Sequence, residues 1–125
     1  MRFLIADDSD FLRTRLIEIM SEIKGAVIAG QVGDAAAIMD AVESLNPDVV
    51  ILDIRMQEEN SFSALEHIKK RKDPPIVIMY TNYPYLQYRK KSMDLGADYF
   101  FYKTVELDKL IRLVKKLTQT RAKAL

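Results

Sequence analysis

Three carboxylates stand out because each closes a run of apolar residues. Asp7 and Asp8 follow Phe3-Leu4-Ile5-Ala6, and Asp53 follows Val49-Val50-Ile51-Leu52. Short apolar runs bounded by polar residues read as buried strands. In a parallel α/β sheet the carboxyl ends of the strands share one edge, where ligands bind. Three negative charges at that edge repel one another unless a cation neutralises them or one group takes up a proton. A hard divalent cation with oxygen ligands answers that need. Two later runs, Ile76 to Tyr80 and Tyr99 to Tyr102, end in a hydroxyl, Thr81, and an ammonium, Lys103. A carboxylate screened by a cation and a lysine can attack phosphorus. The acyl phosphate would carry about two negative charges. Lys103 can then pair with one phosphoryl oxygen while Thr81 hydrogen-bonds another, and in-line transfer needs little more.

The elements that must position these groups alternate five times between strand and helix. The strands are Phe3 to Ala6, Val27 to Val32, Val49 to Leu52, Ile76 to Tyr80 and Tyr99 to Tyr102. Helix one carries Leu12, Leu16, Ile19, Met20 and Ile23 at helical spacing, with Asp10 expected as its N-cap and Gly25 as its stop. Helix two has its stripe at Ile38, Ala41, Val42 and Leu45 and ends at Asn46-Pro47. A long loop, Ile54 to Asn60, leads to helix three, with Phe62, Leu65 and Ile68 inward and a break at Asp73-Pro74-Pro75. Helix four, roughly Tyr85 to Leu95, has the weakest stripe and ends at Gly96. Helix five uses Leu107, Leu110, Ile111, Val114 and Leu117, with Thr104 expected as its N-cap. Thr118 to Leu125 reads as a fraying helical end. Such alternation predicts parallel strands with helices on both faces, in one domain over residues 1–125.

Composition narrows the chemistry. The chain has 125 residues, no cysteine and a net charge of +1. Thiolate metal sites and cysteine catalysis are excluded. The charge balance gives no bias toward nucleic acid. No stretch approaches the length of a membrane span, and the apolar run at the N-terminus is too short for a signal peptide. The expected setting is cytoplasmic.

The pieces Leu4-Ile5-Ala6-Asp7-Asp8, Val49 to Met56, Ile76 to Thr81 and Gly96 to Lys103, in this order, resemble the receiver domain of two-component response regulators. The resemblance covers essentially the whole chain. It implies a flavodoxin-like (βα)5 fold with strand order 2-1-3-4-5. It further implies that Asp53 accepts a phosphoryl group from a histidine kinase or phosphotransfer protein. Mg²⁺ would be held by Asp7, Asp8, Asp53 and the Arg55 backbone carbonyl. Thr81 and Phe100 would form the switch pair, Phe100 repacking inward on phosphorylation, with Lys103 the phosphate partner. The domain is then a switch, not a turnover enzyme, with no direct contact to nucleic acid or membrane. Its output face is expected to include Tyr83, Tyr85 and Tyr88, placed beside Phe100. Three positions depart from the family pattern. Gln57 and Thr104 stand where proline is usual, and Ser61 where glycine is usual. At Thr104 a cis peptide is therefore not expected, since the non-proline cis form costs about 3 kcal/mol.

Taken singly, these residues have plainer readings. An aspartate after a strand commonly caps a helix, and Lys103 alone is a solvated charge. His67 reads as a surface residue on helix three, and Lys69 to Lys72 as a solvated basic run. The tyrosines serve as core packing or as a partner surface equally well. Arg55 can reach over a phosphoryl group or pair with Glu58 or Glu59. Among whole-chain alternatives, a haloacid-dehalogenase-type phosphatase would use Asp8-Ser9-Asp10 but leaves Asp53 idle. A flavodoxin-type nucleotide binder needs a phosphate-cradling first loop, whereas Asp7-Asp8-Ser9-Asp10 would repel phosphate. A degenerate receiver, binding a partner without phosphate, is the remaining alternative.

Overall fold

In the computed structural model, which describes residues 1–57 and 59–124, each apolar run becomes a strand of one parallel sheet. The strands are β1 (Arg2–Ala6), β2 (Val27–Val32), β3 (Val49–Leu52), β4 (Ile76–Thr81) and β5 (Tyr99–Tyr102). Their order is β2-β1-β3-β4-β5, as expected for the flavodoxin-like fold. The helices are α1 (Asp10–Ser21), α2 (Ile38–Leu45), α3 (Phe62–Lys69), α4 (Leu86–Asp94) and α5 (Leu107–Ala124). A 3₁₀ turn, Ala35–Ala37, precedes α2.

Period-two alternation along each strand separates two cores. Leu4, Val50, Leu52, Val77 and Met79 face Ile38, Val42, Leu65 and Ile68 of α2 and α3. Phe3, Ile5, Val49, Ile51 and Ile78 face Leu16, Met20, Leu110 and Val114 of α1 and α5. β3 is buried throughout, as a central parallel strand must be.

Several local expectations are corrected. The N-cap of α1 is Ser9, whose side chain accepts from the Leu12 amide. Asp10 is the first helical residue and pairs with Arg13. α1 ends at Ser21, before Gly25, because the Glu22 and Ile23 amides turn back onto the carbonyls of Ile19 and Met20. Thr104 does not cap α5. The chain first closes a turn in which the Val105 and Glu106 amides reach the Tyr102 carbonyl, and the helix begins at Leu107. Toward its far end Thr118 is buried and Arg121 lies 2.7 Å from Asp48, while Leu125, the last residue of the expected fraying end, lies outside the described residues. The segment 54–60 is no plain loop. Arg55–Met56 and Glu59–Asn60 pair as a small antiparallel hairpin. Lys69 is not solvated either, since its ammonium bonds the Pro75 carbonyl (3.0 Å) and Asp98 (2.8 Å) and clamps α3 to the start of β5. Gly96 ends α4 at φ 103°, where a side chain would be strained and would press on Lys69.

Candidate functional site

The ladder of the sheet runs one residue past the strands and thereby fixes the polar groups. The Asp7 amide bonds the Val32 carbonyl (3.1 Å), the Asp53 amide the Ala6 carbonyl (3.0 Å), and the Lys103 amide the Thr81 carbonyl (2.8 Å). Register aligns Ala6 with Leu52, Leu52 with Met79, and Thr81 with Tyr102. Four strand ends therefore meet at one edge. Asp7 and Asp53 are buried there, at 5% and 6% exposure, while Asp8 is exposed.

The Lys103 ammonium bridges the two buried acids, bonding Asp7 and lying 2.8 Å from Asp53 Oδ2. Burial pushes the Asp53 carboxyl above its ordinary value, and Lys103 draws it only partly back, with the Thr81 hydroxyl acting in the same direction. Burial pulls the other way on Lys103, but the pairs with Asp53 and Asp7 outweigh it and hold the ammonium above its usual range. Beneath that ammonium lies the Tyr80 ring, its centroid 5.7 Å away. Burial, with Asp7 adding its charge, pushes the Tyr80 hydroxyl up to about 12.

The donor set suits a hard cation. One oxygen from each of Asp7, Asp8 and Asp53 lies within 4.8 Å of the others. Asp53 Oδ1 is buried and has no hydrogen-bond partner among the described residues. A buried carboxylate oxygen left so is costly, and a divalent ion with oxygen ligands would satisfy it.

Sequence reasoning missed three supporting groups. Arg13, on α1, bonds the Asp7 carbonyl and reaches Gln31 of β2 (2.7 Å). Ser61 is fully buried and donates its hydroxyl to the Asp53 carbonyl; at φ −95° the position makes no demand for glycine. The Gln57 amide donates to Asp8 Oδ2 at 2.7 Å. Two of these lie at departures from the family pattern, and those departures were the available signal.

Of the two residues expected to switch, Thr81 ends β4 and Phe100 lies within β5 beside Met79. Thr81 is fully buried, and its Oγ1 accepts a long bond, 3.4 Å, from the Tyr83 amide. Phe100 is inward, at 5% exposure, and packs edge-on to Tyr102. The tyrosines are not grouped around Phe100. Tyr83 stacks with Tyr85, both meet Tyr88, and Tyr88 meets Phe62 at 5.9 Å. The Arg55 guanidinium lies 5.7 Å over Tyr83, and no ion pair with Glu59 forms; Glu58 lies outside the described residues. His67 is exposed, with Nδ1 2.7 Å from the Ser63 carbonyl. Every peptide bond among the described residues is trans, Lys103–Thr104 included.

Fold and edge together define a doubly wound, flavodoxin-like domain whose acidic strand ends face one lysine. Residues 3–115 match the response regulator receiver domain, and the chain belongs to that family of two-component signalling domains. The sensory transduction protein LytT of Bacillus cereus is 29% identical over 119 residues, 93% of this chain and 46% of that protein. The chain thus spans about half the length of that relative. Protein CcdB of Bacillus subtilis is 32% identical over 116 residues, 93% of this chain and 96% of that protein. Among solved structures, the CheX-CheY-BeF₃-Mg complex from Borrelia burgdorferi aligns with a TM-score of 0.80 at 27% identity, covering 94% of this chain and 88% of that one. No helix among the described residues is long and apolar enough to cross a membrane.

Proposed function

We propose that the chain is a phosphorylation-controlled switch whose phosphoacceptor is Asp53. A sensor histidine kinase or phosphotransfer protein supplies the phosphoryl group in the cytoplasm. An Asp53 carboxylate oxygen attacks phosphorus, the bond from phosphorus to the donor imidazole nitrogen breaks, and the imidazole leaves with the electron pair. Lys103 is placed to follow the new charge onto a phosphoryl oxygen, and the Thr81 hydroxyl to donate to another. Asp7, Asp8, Asp53 and the Arg55 carbonyl would hold Mg²⁺, which when bound offsets the charge of donor and acceptor. The chain is then the substrate of a transfer and not a turnover enzyme. The observation that carries this reading is Asp53 itself, a buried carboxylate with one oxygen on Lys103 and the other without a partner among the described residues. A relative solved with BeF₃ and Mg supports it. Incubation with acetyl phosphate and Mg²⁺, followed by intact mass, should show one added phosphoryl group, lost when EDTA replaces Mg²⁺. No mass increase would overturn the reading.

Arg55 is expected to guard the phosphoryl group. An exposed cation–π contact is worth about 0.5–1 kcal/mol, less than a charge-assisted bond to phosphate. The guanidinium should therefore leave Tyr83 for the phosphoryl oxygens and shield them. Arg55→Ala should shorten the phosphoryl lifetime by up to about fivefold, the factor for roughly 1 kcal/mol, measured as loss of phosphoprotein over time. An unchanged rate would reduce Arg55 to a surface stack.

A downstream partner would dock on α4 and the tyrosines before it. The one fully buried residue of α4 is Ser92, so the helix is weakly anchored and easily displaced. Beryllofluoride with Mg²⁺ should move the amide resonances of Tyr83, Tyr85 and Tyr88 more than those of α2 around Ile38 and Val42. Shifts confined to Asp53 and Thr81 would detach this face from the switch. The departures at Gln57 and Thr104 leave a second reading, the phosphate-independent receiver. Partner binding of equal strength with and without beryllofluoride would select it. Otherwise phosphorylation shifts a pre-existing equilibrium.

A further inference from the structure

We propose that the backbone amide of Gln57 is a positioning group for the cation site, holding Asp8 toward Asp7 and Asp53 before any ion arrives. The inference rests on the cation reading above and adds a residue to it. Asp8 is the one exposed acid of the three. Its neighbours Asp7 and Asp53 are tied by Lys103, whereas nothing about its own position keeps Asp8 turned inward. Repulsion from two buried carboxylates would swing a free side chain toward solvent. The Gln57 amide opposes this by donating to Oδ2 at 2.7 Å, across 49 residues of sequence. Asp8 Oδ1 keeps no protein donor among the described residues and is left for a ligand.

The backbone at Gln57 is unusual in a way that serves this bond. Its φ is 62°, the left-handed region that a glutamine seldom enters. Such conformations persist where the surroundings impose them, and an observed outlier is a pointer to function. Here the conformation follows Met56 in the small hairpin and aims the amide at Asp8. The proline usual in the family at this point is excluded twice, since it has no N–H and its φ is held near −65°. The departure at Gln57 is thus a hydrogen-bond donor gained. Groups that orient a metal ligand are commonly worth 10–100-fold in affinity.

Mg²⁺ alone, titrated into ¹⁵N-labelled protein, tests the idea. Gln57→Gly keeps the N–H and eases the positive φ, so it should bind Mg²⁺ at least as tightly as the parent. Gln57→Pro should bind about tenfold more weakly. The Gln57 amide proton, downfield in the parent because it meets a carboxylate, should move upfield in Asp8→Ala. Loop packing alone would not produce that shift. Parent-like affinity in a folded Gln57→Pro, or an amide resonance indifferent to Asp8→Ala, overturns the proposal. Should Gln57→Pro fail to fold, the amide shift and the Gln57→Gly affinity decide. If the parent binds no Mg²⁺, the cation reading falls and this inference with it. If the parent binds Mg²⁺ and takes up phosphate while the amide stays put, only the positioning role falls.

Discussion

Asp53→Asn is expected to abolish phosphoryl uptake from acetyl phosphate and, in the same molecule, to stabilise the fold. The first effect follows from removing the carboxylate nucleophile while leaving its shape. The second follows from the electrostatics of the edge. Asp53 is buried, its carboxyl is pushed above the ordinary range chiefly by that burial, and Asp7 adds repulsion that Lys103 only partly relieves. A carboxyl raised in the folded state binds protons more tightly there than in the unfolded chain, so the stability it confers falls as pH rises through the window between the two values. At neutral pH the parent carries the full penalty and the neutral amide does not. A gain of about 1 kcal/mol would raise the melting temperature by a few degrees in a domain of this size. The difference should close on acidification through the elevated value toward the ordinary carboxylate range. Intact mass reads the first effect and thermal unfolding across pH the second. Phosphorylation that persists in Asp53→Asn would return the phosphatase-type use of Asp8 to contention. A less stable variant at neutral pH would mean that the Lys103 pair outweighs the burial of Asp53.

That conflict explains how much of the site the sequence could disclose. Asp7, Asp53 and Lys103 were legible because each terminates a strand, and parallel register brings strand ends together whatever lies between them. The five strands were legible for the same reason. In β1, β3 and β4 the apolar runs are short, continuous and bounded by polar residues, as buried strands require, whereas β2 carries Gln31 and β5 is only partly buried. What escaped depends on partners distant in sequence. Ser61 meets a carbonyl eight residues away, and Gln57 a carboxylate 49 residues away. Neither pairing leaves a trace in periodicity. The caps escaped through competition between neighbours. Ser9 and Asp10 are both good N-caps, and the choice fell to Ser9 because Asp10 is taken by Arg13. Thr104 lost its cap role to a turn whose donors are backbone amides, invisible in side-chain identity. Sequence alone groups the tyrosines with Phe100 in one aromatic surface. The packing instead hands them to Phe62 and Arg55, a choice made by the hairpin that sequence showed only as a loop.

Lys103→Met is expected to have the largest effect on stability of any single change at this edge. The ammonium is the shared partner of Asp7 and Asp53, and its side chain is 6% exposed. Methionine keeps most of the aliphatic stem and loses only the ammonium, with its place over the Tyr80 ring, so the loss isolates the charge. Removing one member of a buried ionic cluster leaves uncompensated charge and typically costs about 3–5 kcal/mol, a large fraction of a domain's total. Asp53, already raised by burial, would rise further once the Lys103 charge that lowers it is gone. The variant should therefore be least stable at neutral and alkaline pH and recover as acid protonates Asp53. The parent has its own limit at the other end. Lys103 is held above its usual range, so its contribution is complete below the unfolded lysine value and is lost as pH climbs through the folded one. The two stability curves should converge at both extremes and lie furthest apart between them. A divalent cation offers the acids another partner, so Mg²⁺ should raise the melting temperature of Lys103→Met more than that of the parent. Phosphoryl uptake should slow in the variant even with Mg²⁺ present, because the phosphoryl oxygen meant for the ammonium finds none. Equal Mg²⁺ stabilisation of parent and variant, with a pH-independent gap between them, would show that Lys103 serves packing and not charge balance.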